Sequence, residues 1–410
     1  MTNGTAGGLV ARDAAAFFHQ RGSSPCLAAL RAVGGCWIED EAGHRMLDFH
    51  GNTAHHLGHA HPRLVAALKA QLDSLPFCPR RFTNAPAVEL AEALLARWPG
   101  PPARVLFATG GSDAMEIALK LARVATGRHA TVSLEGSYHG DGFGALGLGT
   151  ANPDPRLGPL LPGRRHVTPY WRDADRMLED LARALAPGDV AAVVAEPMRS
   201  NCHVPPPGLW RAVRRLCDAQ GAKLVFDEIP SGLGKTGRFF AFEHMGAVPD
   251  AVVLGKALGG GMLPIAAVVA DAALGVAPEL ALGHYTHEKN PMTCRAALET
   301  LRIIEEEGLV ARAATMGEML DAAMRREAGL ATRGLGLLRA LPLPPDWAGA
   351  AEEMVRRLAP LGLSCTAKGP DAVGLSPPLI VDEAEIALAA RAVARALGQG
   401  PSGQVAGGVA

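Results

Sequence analysis

Aromatic rings are scarce in this chain: three Tyr, five Trp and eleven Phe among 410 residues. A stacking platform for nucleic-acid bases is therefore not expected. An excess of one charge is lacking too. The formal net charge is −1 and there is no polybasic field, which argues against nucleic acid or an acidic membrane as partner. No run of about twenty apolar residues occurs, so no membrane-spanning helix is expected. The stretch Met1 to Gly8 has no basic region followed by an apolar core and does not read as a secretory leader. Seven cysteines, at 26, 36, 78, 202, 217, 294 and 365, form no CxxC pair. An odd number of scattered thiols fits a reduced, cytoplasmic protein better than a disulfide framework.

What is present is ordinary for a globular protein. The chain is 48% hydrophobic and 20% charged, and its length suggests two or three domains. The ends, 1–8 and 398–410, are rich in Gly, Pro and Ser and are expected to be disordered. Residues 9–61 predict a helix and then short strands at Gly35–Asp40 and Arg45–His50, forming the N-terminal part of a small domain. From 62 to 330, apolar runs alternate with amphipathic helices. Strands are predicted at Arg104–Ala108, Thr131–Leu134, Val190–Ala195 and Lys223–Phe226, and helices at Ser112–Thr126 and Leu209–Gln220. The strands are continuously apolar rather than alternating, which suits a parallel sheet covered on both faces. That pattern predicts a doubly wound α/β domain. A helix is expected from Glu305 to about 330, and 331–397 reads as a small α+β unit.

Chemistry concentrates at two strand ends. The run Asp250-Ala251-Val252-Val253-Leu254-Gly255 delivers Lys256 to a glycine turn, Gly259-Gly260-Gly261. A desolvated lysine loses proton affinity and can form a Schiff base with an aldehyde. The run ending at Phe226 leads to Asp227-Glu228, and a strand-end carboxylate can pair with a pyridinium nitrogen. Together these suggest pyridoxal phosphate (PLP). Thr109-Gly110-Gly111-Ser112-Asp113 follows a strand and opens a helix, where free N–H groups favour an anion; Asp113 could equally be a plain cap. Gly232-Leu233-Gly234-Lys235-Thr236-Gly237 matches a dinucleotide pattern, but Arg238-Phe239-Phe240-Ala241-Phe242 does not look like the helix such a site needs. His55, His56, His59 and His61 are clustered, yet no second cluster completes a coordination sphere, and no metal is expected.

Taken as a set, these strings resemble the class III aminotransferases, PLP enzymes of fold type I, from about Gly35 to Ala390. The resemblance is carried by Asp48-Phe49, Gly58-His59-Ala60-His61-Pro62, Gly111-Ser112, Tyr138-His139-Gly140, Glu196-Pro197, Asp227-Glu228-Ile229, Gly255-Lys256, and Thr286 before Asn290-Pro291. It implies a mostly parallel sheet flanked by helices in a large domain, with a small α+β domain built from both terminal segments. It implies that Lys256 carries the cofactor and that Asp227 pairs with its ring nitrogen. Tyr138 and Ile229 would sandwich the ring, Gly111 and Ser112 would hold the phosphate, and Glu196 would line the site. Thr286 would come from the partner subunit of a homodimer.

Departures from the family pattern are informative. Asp141 stands where an arginine commonly follows Tyr-His-Gly. Asn201 replaces a glutamate, Gly374 replaces an arginine, and Pro230 replaces a glutamine. Arginine forks are the standard means of gripping a carboxylate, so alternation between an amine and 2-oxoglutarate is put in doubt. The segments 75–84 and 283–291, together with Phe49-His50-Gly51-Asn52, resemble the (R)-1-hydroxy-2-aminoethylphosphonate ammonia-lyase branch. That resemblance implies a lyase converting a small β-hydroxy amine to phosphonoacetaldehyde and ammonia; the alternative is an ω-aminotransferase. Arg80, Arg81 and Arg199 flank the departing strings and are, with Asn52, the candidates for holding the substrate.

Overall fold

The structure, a computed structural model, describes residues 8–20, 26–149 and 154–398. Most of the tails expected to be disordered therefore lie outside the described residues. Near the N-terminus, strands β1 (Leu30–Gly34), β2 (Trp37–Asp40) and β3 (Arg45–Asp48) form an antiparallel meander. The strand predicted from Gly35 begins at Trp37 instead, because Gly35 takes φ +55° and turns the chain between β1 and β2.

The central sheet has seven strands: β4 (Ala103–Ala108), β5 (Ala130–Leu134), β6 (Arg164–Val167), β7 (Val190–Ala195), β8 (Lys223–Asp227), β9 (Ala251–Leu254) and β10 (Ala266–Asp271). Their order is β4-β10-β9-β8-β7-β5-β6. The run from β9 to β6 is parallel, while β10 lies antiparallel to both β9 and β4. The sheet is thus mostly parallel, as the family resemblance implies, and is mixed only where β10 runs antiparallel near one edge. β10 follows β9 after the connection 255–265, which holds the turn Lys256–Gly259 and reverses the chain without a crossover α-helix. Every residue of β5, β7 and β9 is buried, as continuous apolar strands covered on both faces require.

The helix Gly111–Thr126 packs Ala114, Met115, Ile117, Ala118 and Leu121 inward and stops at Gly127, φ +67°. The helix expected from Glu305 to about 330 is in fact two, Pro291–Glu306 and Leu309–Ala328. Gly308, at φ +63°, breaks them, while the apolar pattern runs on through both. In the C-terminal part, β11 (Arg333–Leu335), β12 (Leu338–Pro342), β14 (Thr366–Ala367) and β15 (Ala372–Leu375) make a four-stranded sheet. Between them, β13 (Leu363–Ser364) leaves that sheet and runs parallel to β3, so segments far apart in sequence share one sheet.

The few aromatics are not spread evenly. Phe226, one residue before the end of β8, meets Trp210 at 5.0 Å and Phe242 at 6.2 Å; Phe240 stacks on Phe242 at 4.9 Å. The buried Glu228 ties the same region together by accepting N–H bonds from Ala241 and Phe242, each at 2.7 Å. Residues 229–240 form a chain of turns rather than the helix a dinucleotide motif requires.

Lys235 in that stretch is fully buried, its ammonium donating to the Pro377 carbonyl. Burial pulls its pKa down to about 7, despite the opposing influence of Cys36 and Asp48. The unfolded chain restores a value of about 10.4. Between those values the unfolded state binds more protons, so Lys235's contribution to stability rises with pH. Thermal unfolding midpoints of wild type and Lys235→Met, compared at steps from pH 7 to 8.5, should show wild type gaining on the variant. A constant or reversed difference would contradict this titration.

Candidate active site

β8 and β9 are parallel neighbours, with Asp227 in register with Val253. Both therefore release their chains at the carboxyl edge of the sheet, where open α/β sheets bind ligands. Asp227 ends β8. Lys256 lies two residues beyond β9 and takes φ +46°, a left-handed conformation that costs a non-glycine residue about 1–2 kcal/mol. The short turn Lys256–Gly259 holds it there, through bonds from Leu258 N–H to Gly255 O (3.0 Å) and Gly260 N–H to Ala257 O (2.8 Å).

Asp227 and Lys256 face one cavity of about 180 Å³, also lined by Ser112, Tyr138, Glu196 and Ser200. A larger cleft, about 350 Å³, runs past Leu106, Val268 and Leu282, but its lining is mostly apolar and includes neither Lys256 nor Asp227. Lys256 is exposed where it opens onto the smaller cavity, while the residues on either side of it, 251–255 and 257–260, are buried. That desolvation lowers its proton affinity; Asp227 and Glu196 act to raise it, and Lys368 to lower it further.

The buried Asp227 carboxylate has both oxygens engaged. His139 Nδ1 donates to Oδ2 at 2.8 Å, and Ile229 N–H donates to Oδ1 at 3.0 Å. His139 Nε2 is buried without a partner. His139 was legible only as part of the Tyr138-His139-Gly140 string, and its bond to Asp227 spans 88 residues that no local pattern connects.

The cavity fits PLP. The helix Gly111–Thr126 begins after Gly110, which supplies no side-chain cap, so its first N–H groups stay available to an anion. Ser112 Oγ accepts from Asp141 N–H at 3.1 Å. Glycines keep the slot open: a Cβ on Gly111 would lie 2.7 Å from Ile229 Cδ1, and one on Gly140 would lie 2.5 Å from Ser112 Oγ. The donor set thus combines a deprotonatable lysine, a buried carboxylate, an anion site at a helix start and an apolar wall.

Tyr138 lines the cavity while remaining 56% exposed, and its hydroxyl donates to Asp141 Oδ2 at 2.7 Å. Desolvation and that bond push the phenol up to about 12. Glu196 is buried, pairing through Oε2 with Arg199 Nη1 at 2.8 Å and accepting from Ser200 N–H at 3.0 Å. Arg199 is built into the wall: its other terminal nitrogen donates to Gly136 O, and its guanidinium lies 5.3 Å from the Trp171 ring centre. Arg81, Thr286 and Asn52 are exposed and Arg80 is half-buried; none of the four lines the cavity of its own chain.

The histidine cluster forms a frame. Asp48, His55 and His59 each place a ligand-type atom within 4.8 Å of the others. Asp48 already accepts N–H bonds from His50 (3.1 Å) and Gly51 (2.9 Å), and His59 Nε2 contacts it at 2.9 Å. Burial would raise its pKa, but these bonds and the neighbouring His55 hold it well below the usual carboxylate range.

Fold and cavity together place a strand-end lysine and a buried carboxylate around one pocket at the carboxyl edge of the sheet. Comparison with known proteins specifies the family. Residues 18–397 match the family model described as "Aminotransferase class-III". The chain is 35% identical to an (R)-1-hydroxy-2-aminoethylphosphonate ammonia-lyase of Vibrio splendidus, over 93% of this chain and 88% of that protein. It is 37% identical to an acetylornithine aminotransferase of Mycolicibacterium smegmatis, over 86% and 89%. It superposes on the Toxoplasma gondii ornithine aminotransferase, whose active site holds PLP at partial occupancy, with a TM-score of 0.81 and 27% identity over 90% of each chain. The chain belongs to the class III aminotransferase family and is a PLP-dependent enzyme of fold type I.

Because Asp227 supports the proton on Lys256, removing its charge should lower that proton affinity further. In cofactor-free protein, the pH profile of Lys256 acylation by acetic anhydride, read by peptide mass, should move to lower pH in Asp227→Asn. An unmoved or upward-shifted profile would contradict the coupling.

Proposed function

We propose that this enzyme is an ammonia-lyase acting on a small β-hydroxy amine that carries a phosphonate and needing no keto acid; in its net reaction (R)-1-hydroxy-2-aminoethylphosphonate gives phosphonoacetaldehyde and ammonia. The carrying observation is the fate of Asp141. Where the family pattern supplies an arginine for a carboxylate, this chain has an acid whose Oδ2 is bonded to the Tyr138 hydroxyl. With Gly374 at the second arginine position, the usual grip on a keto acid is missing. The Vibrio splendidus lyase, alike over 93% of this chain, supports the same reading. The 37% identity to an acetylornithine aminotransferase favours a second reading, transfer of the amino group to a keto acid or aldehyde.

PLP, when bound, supplies an aldehyde for the substrate amine and a protonated ring that draws electrons from the neighbouring carbon. The chain's residues do the rest. Lys256 Nζ would remove a proton from the amine-bearing carbon. Asp227, oriented by His139, places negative charge at the ring nitrogen. Gly111 and Ser112 hold the phosphate at the helix start, Tyr138 and Ile229 flank the ring, and Glu196 fixes the wall. Loss of the β-hydroxyl as water and later uptake of one water balance, so no second substrate is consumed.

We further propose a cytoplasmic homodimer, in which Thr286 and one of Arg80 and Arg81 reach the partner's cavity. Residues 62–330 would form its cofactor-binding body, and 9–61 with 331–397 its small domain. All seven cysteines are free, and no helix among the described residues is long and apolar enough to cross a membrane.

Holoenzyme incubated with the hydroxyphosphonate and no keto acid should release ammonia and aldehyde in equal amounts, and Lys256→Ala should abolish turnover. Product formed only after a keto acid is added would establish the aminotransferase reading instead.

A further inference from the structure

Two cations approach the active-site region with no acid beside them. Lys368 follows β14, and its N–H bonds to Ala372 O at 2.8 Å. Its aliphatic stem crosses Gly374 of β15: a Cβ there would lie 2.7 Å from Lys368 Cε and 3.0 Å from Cγ. Gly374 does not adopt a left-handed backbone, so what a side chain there would meet is the Lys368 stem rather than a φ restriction. It is also the position where the family resemblance implies arginine. A glycine there therefore removes one cation and clears the path for another.

The charge of Lys368 extends into the active site, since it lowers the proton affinity of both Lys256 and His50. Arg333 on β11 comes from the adjoining segment. It is half-buried, and its Nε donates to Asn201 O at 3.2 Å. Arg333 pairs with Ala340 and Ala340 with Gly374, so Arg333 shares a cross-strand row with the glycine that Lys368 crosses, and Asn201 follows Ser200 of the cavity wall. Among the described residues, neither has a carboxylate oxygen within 4.0 Å. Asn201 stands where the family often has a glutamate, which is the acid that would otherwise neutralise this corner.

We propose that Lys368 and Arg333 form an anion-binding corner for the acidic end of the substrate, with Gly374 as the cleared floor that lets Lys368 reach it. This rests on the phosphonate reading above, and deepens it. Two cations match a phosphonate dianion, and charge-assisted donors in a partly desolvated site bind such a group strongly. The corner determines specificity; proton transfer stays with Lys256.

The test uses holoenzyme and its visible absorbance, titrated with 2-aminoethylphosphonate, which lacks the hydroxyl that would leave, and with ethanolamine, which lacks the anion. Wild type should bind the phosphonate more tightly. Lys368→Met should weaken phosphonate binding about 10- to 100-fold, the range for loss of one charge-assisted hydrogen bond, and leave ethanolamine binding unchanged. Arg333→Gln should act in the same direction. Lys368→Arg should retain most of the affinity, and Gly374→Leu, which fills the floor, should mimic Lys368→Met. The proposal is overturned if wild type shows no preference for the phosphonate, if Lys368→Met and Arg333→Gln both bind it as wild type does, or if they weaken both amines equally. Phosphonate selectivity that depends on Lys368, in an enzyme that releases no ammonia from the hydroxyphosphonate, would keep the corner and remove the lyase reading.

Discussion

The site depends on how one buried carboxylate is held. Placing a carboxylate out of water without partners costs several kcal/mol, so Asp227 can occupy its position only because both oxygens accept hydrogen bonds. One comes from the chain just past β8, the other from a histidine delivered by the loop after β5. Neither donor is useful unless β8 is rigid. The scarce aromatics supply that rigidity, with Phe226 packed against Trp210 and Phe242 directly behind Asp227. Glu228, the next residue, faces away from the cavity and anchors the following turns.

Opposite this carboxylate, Lys256 is kept in a strained backbone conformation and crowded by protein. The two features act together. The turn fixes where the amine points, and crowding favours its uncharged, nucleophilic form. The acids Asp227 and Glu196 counter that effect, while Lys368 adds to it. Charge around the cavity is therefore divided: the acids Asp227 and Glu196 line it with the lysine, and a helix start offers N–H groups at Gly111.

Much of this was legible in the sequence because it is local. Lys256 and Gly111 each stand at the junction of an apolar strand and a small-residue turn, and Asp227 ends an apolar run. The antiparallel β10 was not legible, since an apolar run does not encode its direction. The break at Gly308 was hidden because the apolar stripe continues through both helices. Arg199 stood out in the sequence as a candidate for holding the substrate, but its partners Glu196, Gly136 and Trp171 come from three segments that no local pattern connects. The pairing of Lys368 with Gly374 depends on the register of the β14–β15 hairpin, which places residues six apart in contact. Sequence showed only that an arginine was missing there.

Two lysines in this chain have depressed proton affinity, and they separate the possibilities cleanly. Lys256 opens onto the cavity; Lys235 is sealed against Pro377. The most direct measurement is borohydride reduction of the holoenzyme followed by peptide mass mapping. The cofactor should be fixed on the peptide containing Lys256, with loss of the visible absorbance band. A cofactor fixed on Lys235, or on any other lysine, would contradict the assignment on which the site rests.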